Sequence, residues 1–450
     1  MWRGNKGIKR DVKMLSEHLA EVGYKTGAFG KWHMGSLEGE VPNDRGFDEF
    51  RGFLAGAHPY WVTAKSKMLH NRKPDRPKGH ATELFTQWAE KFIRTSAGTD
   101  KPFFCYLAYN AVHGPLRTDK SKKASAPEAW VKKALDRGVS FLRSDYVAIL
   151  EHMDHNIGQL VDLLDELGVA ENTLIVFVSD NGACTMGDNT TGCNYPGNNG
   201  PFRGGKATTY QGGLNVPFVV NWKSRLPQGM ISNDQVMHCD IFATLLDAAG
   251  IPVPKMNGKN PVRGMSLMPH MLSDGKETIA ERTMIFELWG NIGLRKGDYK
   301  LWGDIGRDYS PDWAALVARL KHSDLALFDL NKDVAEKKDL RTKLPKVYAS
   351  LKTELIDHLA NINTEYPDGG DSAAAPKAKP KPRKPTAAPA PKRTSQDQFF
   401  KNRDRNKDGA ITLEEYIGNP KGRNVPALTK RFKNFDSNGD GKLQLDELKK

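Results

Sequence analysis

Hydrophobic and polar positions over residues 1–366 follow two alternating patterns. Apolar residues spaced three to four apart predict helices over 8–22, 81–94, 144–167 and 239–250. Short apolar runs bounded by turn residues predict strands over 24–30, 101–110, 172–182 and 216–222. Helices that alternate with buried strands are typical of an α/β domain.

The composition changes abruptly near residue 366. Residues 367–395 are rich in Pro, Ala and Lys, which cannot bury a core and predict an extended linker. The remaining residues, 396–450, form a separate small unit. We therefore expect a large domain over 1–366, a linker over 367–395 and a C-terminal module over 396–450.

The C-terminal module contains one acidic pattern twice, as "DRNKDGAITLEE" and "DSNGDGKLQLDE". Oxygen ligands at loop positions 1, 3, 5, 7, 9 and 12, with Gly at position 6, are typical of EF-hand calcium loops. The ligands expected in the first loop are Asp404, Asn406, Asp408, Ala410, Thr412 and Glu415. Those expected in the second loop are Asp436, Asn438, Asp440, Lys442, Gln444 and Glu447. We expect a small all-α EF-hand pair in which Ile411 and Leu443 meet between the loops.

Charge and hydropathy restrict the class of protein. The net charge is +13, but part of it lies in the linker and no nucleic-acid motif accompanies it, so a sulfated or carboxylated glycan is as good a partner. Mean hydropathy is −0.58, and no apolar run approaches the length of a membrane span. No signal peptide is visible. Of the four cysteines, Cys184 and Cys193 flank a Gly/Asn-rich loop and either pair or remain thiols.

Polar groups gather where predicted strands end. Ligands of open α/β sheets bind beyond the carboxyl ends of the strands. The groups at these ends, and in a Gly-rich loop further on, are Lys31, His33, His113, Asp180, Asn181 and Lys206. Lysines and imidazoles neutralise sulfate or phosphate oxygens, while the Asp–Asn pair offers oxygen ligands to Ca²⁺ or Mg²⁺. These residues together indicate a site for an anion beside a hard metal ion.

Each of these signals also has an ordinary structural interpretation. A Lys-Trp-His loop can be a packed Trp between solvated charges, His113 can be a structural histidine, and "SDNG" can be a simple turn. His152 and His155 lie three residues apart on the long predicted helix. Since the sequence shows no third ligand, we interpret them as one helix face rather than a metal pair.

Several segments resemble the type I sulfatases of the alkaline-phosphatase superfamily. They include "GYKTGAFGKWHMG", "AVHGPL", "VSDNG" and "GGKATTYQGGLNVPFVV". The resemblance implies a mixed, largely parallel sheet flanked by helices, and the hydrolysis of sulfate esters, with those of carbohydrates or polysaccharides as the expected substrates. It assigns the ester to Lys31, His33, His113 and Lys206, and Ca²⁺ to Asp180 and Asn181. His58 in "GAHPYW" would line the substrate pocket, and a periplasmic, extracellular or cell-surface location would follow.

One part of that family's pattern is absent. The chain contains no Cys- or Ser-x-Pro-x-Arg segment, the precursor of the formylglycine nucleophile, and no adjacent aspartates. We therefore expect an N-terminally truncated sulfatase whose activity is in doubt and whose sheet lacks its first strand and exposes an edge. The alternative is a non-catalytic protein that binds sulfated glycan while its EF-hand pair anchors it or recruits a protein partner. A phosphate ester as substrate is a third interpretation.

Overall fold

The computed structural model describes most of the chain. The described residues are 7–117, 123–185, 197–254, 262–288, 290–306, 313–365, 406, 408, 410–417, 429, 432–433, 436 and 440–444. The chain forms two compact units, Met1–Ser372 and Ala373–Lys450. The predicted linker, 367–395, lies outside the described residues.

The first unit combines short strands with helices. Its strands are β1 Lys25–Lys31, β2 Glu49–Phe53, β3 Trp61–Val62, β4 Met68–His70, β5 Lys73–Asp75, β6 Gly79–His80, β7 Phe103–Ala108, β8 Ile175–Val178, β9 Phe218–Asn221, β10 Met284–Leu288, β11 Asn291–Lys296, β12 Tyr299–Asp304 and β13 Ala326–Asp329. Its helices are α1 Leu15–Glu21, α2 Ala81–Ala97, α3 Glu128–Asp136, α4 Phe141–Glu166, α5 Gln211–Leu214, α6 His238–Ala248, α7 Met268–Leu272, α8 Trp313–His322 and α9 Pro345–Glu365. Within the described residues, no helix is both long enough and apolar enough to span a membrane.

A five-stranded sheet has the order β5-β4-β2-β1-β7. The central strand β1 is parallel to β2 and β7, while β4 and β5 are added antiparallel. The amphipathic helix α2 covers one face, where Phe92 packs 5.5 Å from Phe29, and Phe85 lies against Phe53. The mixed sheet flanked by helices is therefore confirmed.

The strands β7 and β8 leave backbone edges uncovered in the described part of the chain. There, β7 pairs only with β1, and β8 pairs only with β9, in an antiparallel ladder. Large apolar side chains on these strands remain accessible, since Tyr106 and Phe177 are each 37% exposed. An exposed, apolar strand edge is unusual in a buried sheet, and it agrees with the expectation of an uncovered edge.

A second, antiparallel sheet follows in the order β10-β11-β12-β13. Its buried leucines pack against α8 and α9, where Leu320 and Leu355 are fully buried. Sequence patterning predicts no elements beyond residue 250. These strands are short, and hairpin glycines such as Gly297, at φ +54°, interrupt their periodicity.

Helix α1 begins at Leu15, so the prediction of a helix from residue 8 is wrong. The guanidinium of Arg45 hydrogen-bonds the carbonyls of Ile8, Lys9 and Val12, which a helix would have used for its own bonds. The Met14 N–H donates to the Glu17 carboxylate and starts the helix there.

A fully buried ion pair connects the second sheet with the loop before α5. Lys300 Nζ on β12 lies 2.6 Å from Glu336 Oε1, and neither side chain is exposed. The Gln211 N–H donates to Glu336 Oε2, and Arg203 donates to the Glu336 carbonyl, at 2.7 and 2.9 Å. Burial lowers the pKa of Lys300 to about 8, although Glu336 opposes this shift. Glu336 therefore fixes both ends of the segment from Arg203 to Gln211.

The second unit contains β14 Ile411–Thr412, α10 Leu413–Ile417 and β15 Lys442–Leu443. The two strands pair antiparallel with Ile411 opposite Leu443, and both side chains are fully buried. The predicted meeting of the two position-8 residues is thereby confirmed.

Replacing Glu336 tests the role of the buried ion pair. Glu336→Gln leaves the Lys300 ammonium buried without a counter-charge, which should lower the free energy of unfolding by about 3–5 kcal/mol. Glu166→Gln is the matched control, because Glu166 pairs with Arg94 at the exposed surface, where the solvent screens the interaction and its loss should cost far less. Urea denaturation of the full chain measures both, and equal losses would contradict the assignment.

Candidate functional site

The segment after β1 is held by its tryptophan. Trp32 is 3% exposed and packs edge-on against Phe47, with ring centroids 6.0 Å apart. Its indole N–H donates to the Glu40 carbonyl at 2.9 Å. The Trp of the Lys-Trp-His segment is thus structural, and it fixes the backbone between Lys31 and His33.

His33 is an exposed side chain on a constrained backbone. Its φ of +53° is in the left-handed region, and its N–H donates to the Leu54 carbonyl at 3.1 Å. A Cβ on Gly56 would lie 2.5 Å from the His33 ring. The imidazole therefore packs against bare backbone at Gly56, which restricts where the ring lies.

His113 follows β7 and is positioned by buried polar groups. Its N–H donates to the Asn110 carbonyl at 2.7 Å, and its carbonyl accepts from the Tyr60 hydroxyl at 2.9 Å. His113 Nδ1 lies 2.7 Å from the Gly114 carbonyl, which can only accept, so Nδ1 carries the proton. In the neutral ring Nε2 is then the atom available to a ligand.

His58 lies behind this loop. It is 8% exposed, its ring stacks 5.1 Å from Phe53, and its carbonyl accepts from Asn110 Nδ2 at 3.1 Å. Asn110 in turn accepts from His113, so His58 supports the His113 loop through Asn110. Its assignment to the substrate pocket stays a prediction.

The Gly-rich loop that carries Lys206 is joined to the loop after β8. The Lys206 N–H donates to the Ala183 carbonyl at 3.1 Å. The Asn199 amide accepts from Ala183 N–H at 2.7 Å and donates to the carbonyls of Ala183 and Gly204. These hydrogen bonds hold the Lys206 loop beside the loop that carries Asp180.

The predicted cationic groups share one electrostatic environment. Burial lowers the pKa of His33, and Lys31 and Lys206 lower it further. Burial also lowers the pKa of His113, which Lys206 and Lys31 lower further and Asp180 raises. The pKa of Lys206 falls through burial and the nearby Lys31, against the opposing effect of Asp180. Mutual repulsion among these groups makes their meeting point a site for an anion.

Asp180 and Asn181 follow β8 and present a carboxylate and an amide. Asp180 is exposed and acts electrostatically on both His113 and Lys206. An all-oxygen donor pair fits Ca²⁺ and does not favour Zn²⁺. Because Ca²⁺ takes about six to eight oxygens, these two residues fit the ion but fill only part of its shell.

The two EF-hand loops present carboxylates at the expected positions. Glu415 Oε2 accepts from Thr412 N–H at 3.0 Å, and Asp408 Oδ1 accepts from Ala410 N–H at 3.0 Å. In the second loop Asp436 Oδ2 accepts from Gly441 N–H at 3.0 Å, while Asp436 Oδ1 is buried without a hydrogen-bond partner. A buried, unpaired carboxylate oxygen at position 1 fits a bound cation.

Some of the other predicted ligands of these loops make hydrogen bonds to one another, and some lie outside the described residues. Asp440 accepts from Lys442 N–H and from the Gln444 amide, at 2.8 and 3.2 Å, so position 5 organises positions 7 and 9. Three predicted ligands, Asp404, Asn438 and Glu447, lie outside the described residues.

The described cysteines do not offer a nucleophile at this site. Cys105 and Cys239 are free thiols, and burial raises the pKa of Cys105 to about 12 and also raises that of Cys239. A thiol held protonated is a poor nucleophile. Cys184 is disulfide-bonded, and Cys193 lies outside the described residues.

Sequence reasoning missed the residues that position the site. Asn110, Asn199 and Glu336 hold loops through buried side-chain bonds, and Tyr60, expected near the pocket, is 2% exposed and supports His113. The sequence signals only one of them, because Asn199 lies in an Asn/Gly-rich loop. The other three depend on contacts between distant parts of the chain.

The shared electrostatic environment is testable by substitution of one lysine. Lys206→Met removes a positive charge that lowers two histidine pKa values, so the pKa of both His33 and His113 should rise. Histidine ring resonances followed by NMR against pH measure the shift. Lys132→Met, at an exposed ion pair on α3, is the control and should leave both pKa values unchanged. No rise after Lys206→Met would show that the groups do not meet.

Comparisons with known proteins identify two families in the chain. The sulfatase family model matches residues 2–251, and the EF-hand model matches residues 396–417 and 429–450. The chain is 31% identical to N-acetylgalactosamine-6-sulfatase of Canis lupus familiaris, over 79% of this chain and 68% of that protein. The mouse protein of that name is 30% identical, and the match covers 74% of this chain and 65% of the mouse protein. The chain thus spans about two thirds of the length of these relatives.

Solved structures show the same fold. Ps i-CgsB, also solved with k-i-k-neocarrahexaose, gives a TM-score of 0.66 at 24% identity, covering 82% of this chain and 81% of that one. BT4656, solved with D-glucosamine-2-N,6-O-disulfate, gives 0.54 at 19% identity, covering 81% and 84%. Likeness at this identity concerns the fold alone. With the family model matched over more than half of its length, this chain belongs to the sulfatase family.

Proposed function

We propose that this chain functions in the hydrolysis of sulfuric esters. In this proposal it binds the sulfate group of a sulfated carbohydrate between Lys31, His113 and Lys206. The observation that carries the proposal is that Lys31 and Lys206 both lower the pKa of His33 and of His113, and that Lys31 lowers the pKa of Lys206, although these groups come from separate parts of the chain. Such a cluster is electrostatically unfavourable when empty. An anion that enters it relieves the repulsion and gains charge-assisted hydrogen bonds.

Each side chain has a distinct proposed task. The ammonium groups of Lys31 and Lys206 donate to non-bridging sulfate oxygens, and His33 adds a further donor. In its protonated form, His113 presents Nε2–H to the bridging ester oxygen, which would take this proton as its bond to sulfur breaks and water, the other reactant of hydrolysis, forms a bond to sulfur.

Asp180 and Asn181 would hold Ca²⁺ beside the anion. When bound there, Ca²⁺ would offset the negative charge of the sulfate oxygens. The 450 residues contain no formylglycine precursor segment, and desolvation raises the pKa of the free thiols of Cys105 and Cys239. The chemistry proposed for these residues is therefore sulfate binding and proton transfer.

The substrate class follows from charge and from the relatives. The net charge of +13 favours a polyanion, and the relatives and fold neighbours above carry names or ligands of sulfated sugars. We propose a sulfated glycan or its fragments as ligand. A periplasmic, extracellular or cell-surface location, where calcium is plentiful, belongs to the same proposal.

One alternative function is binding without catalysis. In it, the chain binds sulfated glycan without hydrolysing it, and the EF-hand module anchors the protein or recruits a protein partner. Hydrolysis of a sulfate ester by the purified chain distinguishes the two functions, since release of inorganic sulfate at a rate sensitive to His113→Gln would exclude the alternative.

Sulfate recognition is tested by binding in the presence of calcium. N-acetylgalactosamine 6-sulfate should bind more tightly than N-acetylgalactosamine in titration calorimetry. Lys31→Met and Lys206→Met should each weaken binding about tenfold or more, because each removes a charge-assisted bond. The control Lys132→Met keeps the same change in net charge and should have no effect. Equal affinity for the sulfated and unsulfated sugars would refute the proposal.

Calcium binding by the EF-hand pair has its own test. Glu415→Gln replaces one of the two carboxylate oxygens that close the first loop around the ion. Calorimetry should therefore show the loss of about one Ca²⁺ or a large fall in its affinity. Glu414→Gln is the neighbouring control, since Glu414 is exposed and occupies no ligand position. If both variants bind calcium equally, the ligand assignment is wrong.

A further inference from the structure

Three metal-binding side chains meet between α2 and α4, apart from the sulfate and calcium residues. His80 lies immediately before α2, Glu83 is in its first turn, and His152 is in the middle of α4. One donor atom from each lies within 4.8 Å of the others. The rings of His80 and His152 are 4.7 Å apart, centroid to centroid, and 1% and 3% exposed.

The hydrogen bonds of the two histidines leave one nitrogen of each unpaired. His80 Nε2 lies 3.0 Å from the Ser125 carbonyl and must donate to it, which leaves Nδ1 as a lone pair. His152 Nε2 lies 3.1 Å from Glu83 Oε1, so a metal ion bound to both of these atoms would replace their hydrogen bond. Within the described part of the chain, His80 Nδ1 is buried without a hydrogen-bond partner, and it is the lone pair that such an ion would satisfy.

Buried nitrogen lone pairs without a partner carry a free-energy cost, and such groups are rare unless a ligand satisfies them. The bond from His80 Nε2–H to a carbonyl also has the form that orients metal-bound histidines. Two imidazoles and a carboxylate are the ligand set typical of Zn²⁺.

A cavity adjoins the cluster and supplies room for a further ligand. Its volume is about 350 Å³, and it is lined by Glu83, Glu90, Trp130, His152, His155 and Gln159. A fourth ligand position open to such a cavity accommodates water or a small molecule, as tetrahedral sites with three protein ligands do.

We propose that His80, Glu83 and His152 bind a divalent transition-metal ion, with Zn²⁺ the best match. The ion would connect α2, which covers the five-stranded sheet, to α4. The sequence analysis interpreted His152 as a helix-face residue because it found no third ligand. The fold supplies two further ligands from α2, about 70 residues earlier in the chain.

Metal titration of the full chain tests the proposal, with millimolar Ca²⁺ present to occupy oxygen sites. Co²⁺ should give the visible absorption of a four- or five-coordinate site without thiolate bands, and Zn²⁺ should displace it at one ion per chain. Zn²⁺ should also raise the melting temperature of the wild-type chain, because it binds only the folded state.

Substitutions identify the ligands. His152→Gln and Glu83→Gln should each weaken Zn²⁺ binding about tenfold or more. His70→Gln is the control, since His70 is exposed beside Glu49 and should leave binding unchanged. Glu83 has a half-exposed side chain, so its variant stays folded even if that of His152 does not.

Three results would overturn the proposal. The first is no Zn²⁺ bound to the wild-type chain. The second is unchanged affinity in folded Glu83→Gln, and the third is an equal loss in the His70→Gln control. None of these bears on sulfate binding, so the two proposals fail separately.

Discussion

The buried ion pair between Lys300 and Glu336 connects the antiparallel sheet to the loop that carries Lys206. Glu336 is fully buried, and its carboxylate and carbonyl together accept bonds from β12, from Gln211 and from Arg203. A carboxylate in such a place must keep its partners, because an uncompensated buried charge costs several kcal/mol. The loop therefore adopts one arrangement, and Lys206 projects from it near Asp180 and His113.

That constraint explains how the site tolerates its own repulsion. Lys31, His33, His113 and Lys206 lie in one another's electrostatic fields, which raises the free energy of the empty site. Hydrogen bonds from the side chains of Trp32, Tyr60 and Asn199 stabilise the surrounding loops and offset this cost. Since the donors are already in place, an arriving anion has little ordering to induce, which is the advantage of a preorganised site.

Sequence patterning predicts the parts of this molecule that depend on local chemistry. The EF-hand spacing predicts the contact of Ile411 with Leu443, which the paired strands β14 and β15 confirm. The start of α1 could not be predicted, because Arg45, more than thirty residues away, takes the carbonyls that the helix needs. The sheet after residue 250 was missed because hairpin glycines such as Gly297 interrupt the periodicity of its strands.

Long-range contacts account for the rest. In the sequence, nothing distinguishes Glu336 from an ordinary charged residue in a turn. Only the fold brings it to Gln211, which lies 125 positions earlier in the chain. The meeting of His80 and Glu83 with His152 likewise depends on the packing of α2 against α4. Neither spacing nor composition contains that information.

The most direct measurement of the central claim is the position of the bound anion. Crystals of the full chain soaked in selenate, a close analogue of sulfate, would reveal it through the anomalous scattering of selenium. The account predicts one dominant peak within hydrogen-bond reach of Lys31 Nζ, His113 Nε2 and Lys206 Nζ. A peak elsewhere, with none between these three atoms, would contradict it.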